Sequence, residues 1–205
     1  MAVLSIGIFI FDGVEELDFA GPWEVFTMGN EVAKHMGRKP VHDVRLIAER
    51  HQPIVCAKGM RVLPDLTMGQ CATLDVLLVP GGQGARREVD NPAALSWIAH
   101  IAKEAKWVTS VCTGALLLTA AGPAKGKRVT THWSFIDTLR ARGEAAEVVE
   151  RQRYVQDGNI VSAAGVSAGI DMALWLTGQI HSPDFARTVQ RGMEYDPAPP
   201  YGSQA

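Results

Sequence analysis

Cys112 has the setting of a chemically useful side chain. It follows the apolar run Trp107-Val-Thr-Ser-Val111 and precedes Thr113, Gly114 and the helix-forming stretch Ala115 to Ala121, so it falls at a strand-to-helix junction. A thiol there feels the positive end of the peptide dipoles and the unpaired amide hydrogens of the helix start, and both favour thiolate. Gly114 suits a tight turn that projects sulfur out of the sheet, the geometry of a nucleophile elbow. The same local pattern also suits a small buried hydrophobe. Cys56 lies in an alternating strand and Cys71 follows a turn. Neither adjoins a helix start, so both are expected to be structural thiols.

Asp18 lies between Leu17 and Phe19, ahead of Gly21-Pro22. Apolar neighbours would raise its proton affinity and make it a donor, whereas a simple helix cap is the other reading. Glu15 and Glu16 read as solvated turn residues. Gly81-Gly82-Gln83-Gly84 follows the buried-strand pattern Asp75-Val-Leu-Leu-Val79. Its amides could face a developing anion, or the glycines could serve a plain turn. His132, in Thr130-Thr-His-Trp133, could act as a base toward the thiol or as a structural hydrogen-bonding residue. No Ser has a G-x-S-x-G setting, and no phosphate-loop or GxGxxG pattern is present.

The elements that must position these groups alternate between strand and helix. Strands are expected at Ser5 to Phe11, Asp43 to Ala48, Asp75 to Val79, Trp107 to Val111 and Ile160 to Ala163. A hairpin of Ile54 to Cys56 with Met60 to Leu63 is placed at the sheet edge, and Asp157-Gly158 turns a second hairpin. Helices are expected with Pro22 in a first turn, over Pro92 to Ala105 with Asn91 as cap, Ala115 to Ala121, Ser134 to Arg142, Ser167 to Ile180 and Pro183 to Gly192. Glu31 to Pro40 reads as a helix-loop excursion, Val148 to Val149 as a short strand, and Asp196 to Pro200 as an extended tail. This alternation argues for an α/β fold, a mostly parallel sheet flanked by helices on both faces. Ligands of such sheets gather beyond the carboxyl ends of the strands, where the loops carrying Asp18, Gly82 and Cys112 converge.

The 205 residues are 47% apolar and 20% charged, consistent with one domain over 1–205. A net charge of -2 leaves no field for nucleic acid or anionic membranes. No apolar run approaches the ~20 residues of a membrane span, and no leader precedes the first strand, so a cytoplasmic protein is expected. Three separated cysteines and six scattered histidines suggest neither a disulfide framework nor a metal site.

Leu17-Asp-Phe-Ala-Gly-Pro22, Asp75-Val-Leu-Leu-Val-Pro-Gly-Gly82, Thr109-Ser-Val-Cys-Thr-Gly114, Thr130-Thr-His-Trp133 and Gly169-Ile-Asp171 together resemble the ThiJ/PfpI superfamily over about residues 4 to 200. Within it they resemble the isocyanide (isonitrile) hydratase group, as does the ending Glu194-Tyr-Asp-Pro-Ala-Pro-Pro-Tyr201. The resemblance implies a flavodoxin-like sandwich, related to class I glutamine amidotransferases, that forms a homodimer. It implies Cys112 as nucleophile, Asp18 as the acid near the sulfur, and Thr113 at a position where PfpI-type peptidases place histidine, which speaks against peptidase chemistry. Gly81, Gly82 and Val166 fall on backbone near the substrate and the sulfur. The implied reaction is hydration of a small isocyanide to an N-substituted formamide, a lyase reaction. Cys112 attacks the terminal carbon and Asp18 protonates the adduct, giving a covalent thioimidate that water then opens without a cofactor. The same motifs also resemble the sensory domain of AraC-type regulators, whose chains continue into a helix-turn-helix module; no basic helical region follows Gly192 here. A stress-response role, in which the cysteine meets oxidants or reactive carbonyls, is the third expectation.

Overall fold

The computed structural model describes residues 3–201. In chain order the elements are β1 (Leu4–Phe9), α1 (Glu16–His35), β2 (His42–Ala48), β3 (Ile54–Val55), β4 (Arg61–Val62), β5 (Leu66–Thr67), β6 (Val76–Val79), α2 (Ala85–Glu88) and α3 (Pro92–Ala102). They continue with β7 (Trp107–Val111), α4 (Gly114–Ala121), β8 (Arg128–Val129), α5 (Ile136–Ala141), β9 (Glu147–Val148), β10 (Tyr154–Asp157), β11 (Ile160–Ala163), α6 (Ala168–Ile180) and α7 (Pro183–Gly192).

Seven strands form the central sheet in the order β10-β11-β7-β6-β1-β2-β5. Its pairs are parallel except the β10-β11 hairpin. All four residues of β6 and of β11 are buried, the pattern of strands covered on both faces. α1 packs with α6 and α7, while α4 packs with α2 and α3. Between these layers lies a core that includes the fully buried Ile6, Ile8, Leu77, Leu78 and Leu117. The expected α/β sandwich is what the chain forms. No helix among the described residues is long and apolar enough to cross a membrane.

α3 starts as its sequence dictates: the Asn91 side chain accepts from the amides of Ala93 and Ala94 at 3.1 and 3.4 Å, with Pro92 in the first turn. α1 departs from expectation. It begins at Glu16 and carries Pro22 in its interior. A proline there has no N–H for the carbonyl four residues back, so Asp18 loses an intrahelical partner for its backbone oxygen. The helix runs unbroken to His35, so the first half of Glu31 to Pro40 is the end of α1 and the second half is loop, as the helix-loop reading expects. The hairpin β3-β4 is a separate two-stranded sheet, and β5 takes the edge beside β2. A 3-10 turn over Trp133–Phe135 shortens the helix expected from Ser134. The short strand expected at Val148 lies at Glu147–Val148 and pairs with β8.

Candidate active site

β7, β6 and β1 are neighbours in the sheet, and the loops leaving their carboxyl ends meet. At the end of β7 the chain turns sharply at Cys112, whose φ of 55° is left-handed. The turn is pinned on both sides. The Cys112 amide donates to the carbonyls of Ala164 and Ala163 at 2.7 and 3.2 Å, and its own carbonyl accepts from the Thr131 hydroxyl at 2.8 Å. Gly114 is required by close approach, because a Cβ on it would sit 2.0 Å from the Val79 carbonyl oxygen. Across the site Val166 is also left-handed, at φ 46°, a rare and costly state for a β-branched residue. Its amide interacts with the Cys112 sulfur, so two strained residues face each other.

Asp18 sits in the first turn of α1 and is fully buried. Its Oδ2 accepts the Gly81 amide hydrogen at 2.9 Å, while Oδ1 is buried without a hydrogen-bond partner among the described residues. Burial pushes the carboxyl up to about 8, with the Glu15 charge adding to the rise; the Gly81 amide, Lys58 and the Cys112 thiol act the other way. Near neutral pH Asp18 is a neutral acid. With Oδ2 occupied as acceptor, its proton belongs on Oδ1.

Burial also pushes the Cys112 thiol up to about 12, and a charge on Asp18 would push in the same direction. The Thr113 amide and hydroxyl and the Val166 amide oppose this without overcoming it. The expectation of a resting thiolate is therefore corrected. Desolvation of Cys112, a residue only 7% exposed, outweighs the pull of the helix start that follows it. The resting pair is a thiol beside a carboxylic acid, and an ionised Asp18 would hold the proton on sulfur more tightly. Cys56 and Cys71 are buried thiols with raised proton affinity as well. What sets Cys112 apart is the strained elbow and the acid beside it.

Thr113, 3% exposed, joins the two loops: its Oγ1 accepts from the Gly82 amide at 3.0 Å and donates to the Gly82 carbonyl at 3.3 Å. A Cβ on Gly81 would meet the Thr113 amide nitrogen at 2.4 Å, and Gly82 has a φ of 115°. The amides of Gly81 and Gly82 are thus both engaged, by Asp18 and Thr113, and do not form the open anion cradle expected. They brace the acid and the threonine instead.

His132 packs beside Gly165, next to Val166, and makes no hydrogen bond to Cys112 among the described residues. Its Nδ1 meets the Ser134 hydroxyl at 2.8 Å and accepts from the Ser134 amide at 3.3 Å, and its ring packs where a Cβ on Gly165 would be. Burial lowers its proton affinity. Of the Thr-Thr-His-Trp segment it is Thr131 that touches the elbow. Glu15 and Glu16 are not solvated: their side chains are 14% exposed and held by Lys58. Thr131 and Lys58 were not singled out from the sequence, since their partners lie 19 and about 42 residues away. Among the described residues no group of three or more His, Cys, Asp or Glu side chains is arranged to hold a metal.

Known proteins resemble this chain over two thirds or more of its length. Isonitrile hydratase of Pseudomonas putida is 38% identical over 200 residues, 98% of this chain and 82% of that protein. The HTH-type transcriptional regulator CdhR of Pseudomonas aeruginosa is 30% identical over 137 residues, 67% of this chain and 40% of the regulator. The crystal structure of a ThiJ/PfpI family protein from Pseudomonas syringae superposes with a TM-score of 0.89 at 30% identity, covering 100% of this chain and 80% of that one. The DJ-1/PfpI family matches residues 4–179, and the chain belongs to that family.

Proposed function

We propose that the protein hydrates isocyanides to N-substituted formamides, with Cys112 as nucleophile and Asp18 as proton relay. The observation that carries this reading is a buried thiol on a strained elbow beside a carboxylic acid that is neutral near pH 7. The 38% likeness to an isonitrile hydratase supports it.

The terminal carbon of R-N≡C is electrophilic and carries no leaving group. Sulfur attacks it, forming the S–C bond; the thiol proton passes to Asp18 while the Asp18 proton goes to the same carbon. The product is the thioimidate Cys-S-CH=N-R. Asp18 next gives its proton to the imine nitrogen and, as the carboxylate so formed, takes one from water as the oxygen adds to that carbon, giving Cys-S-CH(OH)-NH-R, whose hydroxyl proton then passes to sulfur. Cleavage of the S–C bond releases R-NH-CHO and restores the thiol. Water is the only other reactant.

The occupied amides of Gly81 and Gly82 fit this chemistry. Acyl transfer from peptides needs free donors for an oxyanion, whereas attack on an isocyanide creates no oxyanion. In this reading Gly81 and Gly82 hold the acid and Thr113, the Thr113 hydroxyl and the Val166 amide steady the sulfur, and Val166 borders the substrate. Homodimeric assembly in the cytoplasm belongs to the same proposal, and sedimentation equilibrium tests the dimer.

The test offers purified protein an aryl isocyanide and, in parallel, methylglyoxal, with formamide and lactate as readouts. Formamide production that Cys112→Ala lowers by orders of magnitude is expected. Lactate production alone would replace the reading with a carbonyl-directed one. The CdhR likeness favours a second reading, ligand sensing without turnover, and saturable isocyanide binding with no product would support it.

A further inference from the structure

The β3-β4 hairpin is tied across the loop that carries the acid. Gly13 donates its amide hydrogen to the Val55 carbonyl, Val55 donates to Asp12 Oδ1, and Ala57 donates to the Val14 carbonyl, each at 2.8 Å. At the tip the Lys58 amide donates to Glu16 Oε1 at 2.7 Å. The Lys58 ammonium pairs with Glu15 and lies 3.9 Å from Glu16 Oε2, a buried oxygen without a hydrogen-bond partner. Three acidic side chains within four residues, Glu15, Glu16 and Asp18, thus share one stretch of chain, and the hairpin brings a cation to it.

We propose that Lys58 is a positioning residue for the reaction: the hairpin delivers its ammonium to Glu15 and Glu16, and this neutralisation keeps Asp18 able to release and retake its proton. The proposal rests on the reading of Asp18 as proton relay and adds its regulation. Lys58 makes no hydrogen bond to Asp18 or Cys112 among the described residues, so it acts through the two glutamates and through space.

The groups facing Asp18 are the Gly81 amide, the Cys112 thiol, Glu15 and Lys58. Glu15 strengthens the hold of Asp18 on its proton, and Lys58 weakens it. His132 also feels the charge of Glu15. Without the ammonium, the charge of Glu15 acts on Asp18 unopposed. The acid form persists to higher pH, and Asp18 gives its proton to the adduct less readily. Lys58 is 68% exposed, so salt screens the effect.

The experiment is a carbon-13 carboxyl NMR titration of Asp18 in the full chain, comparing wild type, Lys58→Met, Lys58→Gln and Lys58→Arg, with Asp18→Asn assigning the signal. Lys58→Met and Lys58→Gln are expected to raise the Asp18 midpoint by about 0.5 to 1 pH unit, and about 0.5 M salt is expected to shrink that shift. Lys58→Arg is expected to restore the wild-type midpoint. The limb of the pH profile for formamide production is expected to move with it. An unchanged midpoint in a folded Lys58→Met or Lys58→Gln protein overturns the proposal, even if the rate falls. A shifted midpoint in a protein whose wild type makes no formamide supports the role of Lys58 and overturns isocyanide hydration.

Discussion

Asp18→Asn is expected to make the fold more stable while removing its chemistry. Burial raises the Asp18 carboxyl from 3.8 to about 8. At pH 7 the unfolded chain carries Asp18 as carboxylate, whereas the folded chain holds it protonated, so folding takes up a proton. Each pH unit between 3.8 and 7 costs about 1.4 kcal/mol, which sets a ceiling of about 4 kcal/mol at pH 7 and about 1.5 kcal/mol at pH 5. The sign follows from the raised value: the contribution of this carboxyl to stability is complete below about 4 and is lost as pH climbs toward 8. Asn is neutral at every pH, its Oδ1 can accept the Gly81 amide hydrogen, and its NH2 replaces the acid proton. Urea unfolding of both proteins at pH 5, 7 and 8 reads the difference. The variant is expected to gain with pH, by up to about 4 kcal/mol at pH 7, while turnover falls by orders of magnitude because an amide relays no proton. A stability difference that stays constant between pH 5 and 8, or a variant less stable at pH 8, would refute the neutral-acid argument.

Thr113→Val keeps the shape but leaves the half-buried Gly82 amide without its acceptor; a loss of about 1–2 kcal/mol in urea unfolding is expected, with a lower kcat. Gly114→Ala drives a methyl onto the Val79 carbonyl, and a loss of about 3 kcal/mol is expected in thermal or urea unfolding. His42 gives the wild type an acid-sensitive latch. Its Nδ1 donates to the Phe26 carbonyl at 2.8 Å, so its Nε2 must accept from His181 Nε2, also at 2.8 Å. Burial lowers His42 from 6.5 to about 4, so its contribution is complete above about 6.5 and is lost as pH falls toward 4, with a ceiling of about 3 kcal/mol. Unfolding at pH 7 and 4.5 is expected to show a smaller pH slope in His42→Gln than in wild type.

The elbow was legible because its signals are local. Val111-Cys112-Thr113-Gly114 contains the strand end, the thiol and the glycine that the Val79 carbonyl demands. Asp18 was legible as an acid among apolar residues, but the Gly81 amide that orients it lies 63 residues away. The glycine pair could be read as a special turn, whereas the destination of its amides could not, because that depends on how two loops meet. Cys112 rests as a thiol because the helix dipole, which is local and legible, is outweighed by desolvation, which the tertiary fold sets. Pro22 misled in the same way, since the packing of α1 against α6 and α7 tolerates an interior proline that propensity alone places at a helix start. Lys58 and Thr131 left no local trace, as each acts across the fold on a loop it does not belong to.

In the proposed reaction Cys112 bonds covalently to the isocyanide carbon, and intact-protein mass spectrometry of a rapidly acid-quenched reaction reads that bond. The predicted result is an adduct that maps to Cys112, heavier than the free enzyme by the full mass of the isocyanide because no group leaves, and that is absent in Cys112→Ala. Formamide production at an undiminished rate by Cys112→Ala would contradict the claim.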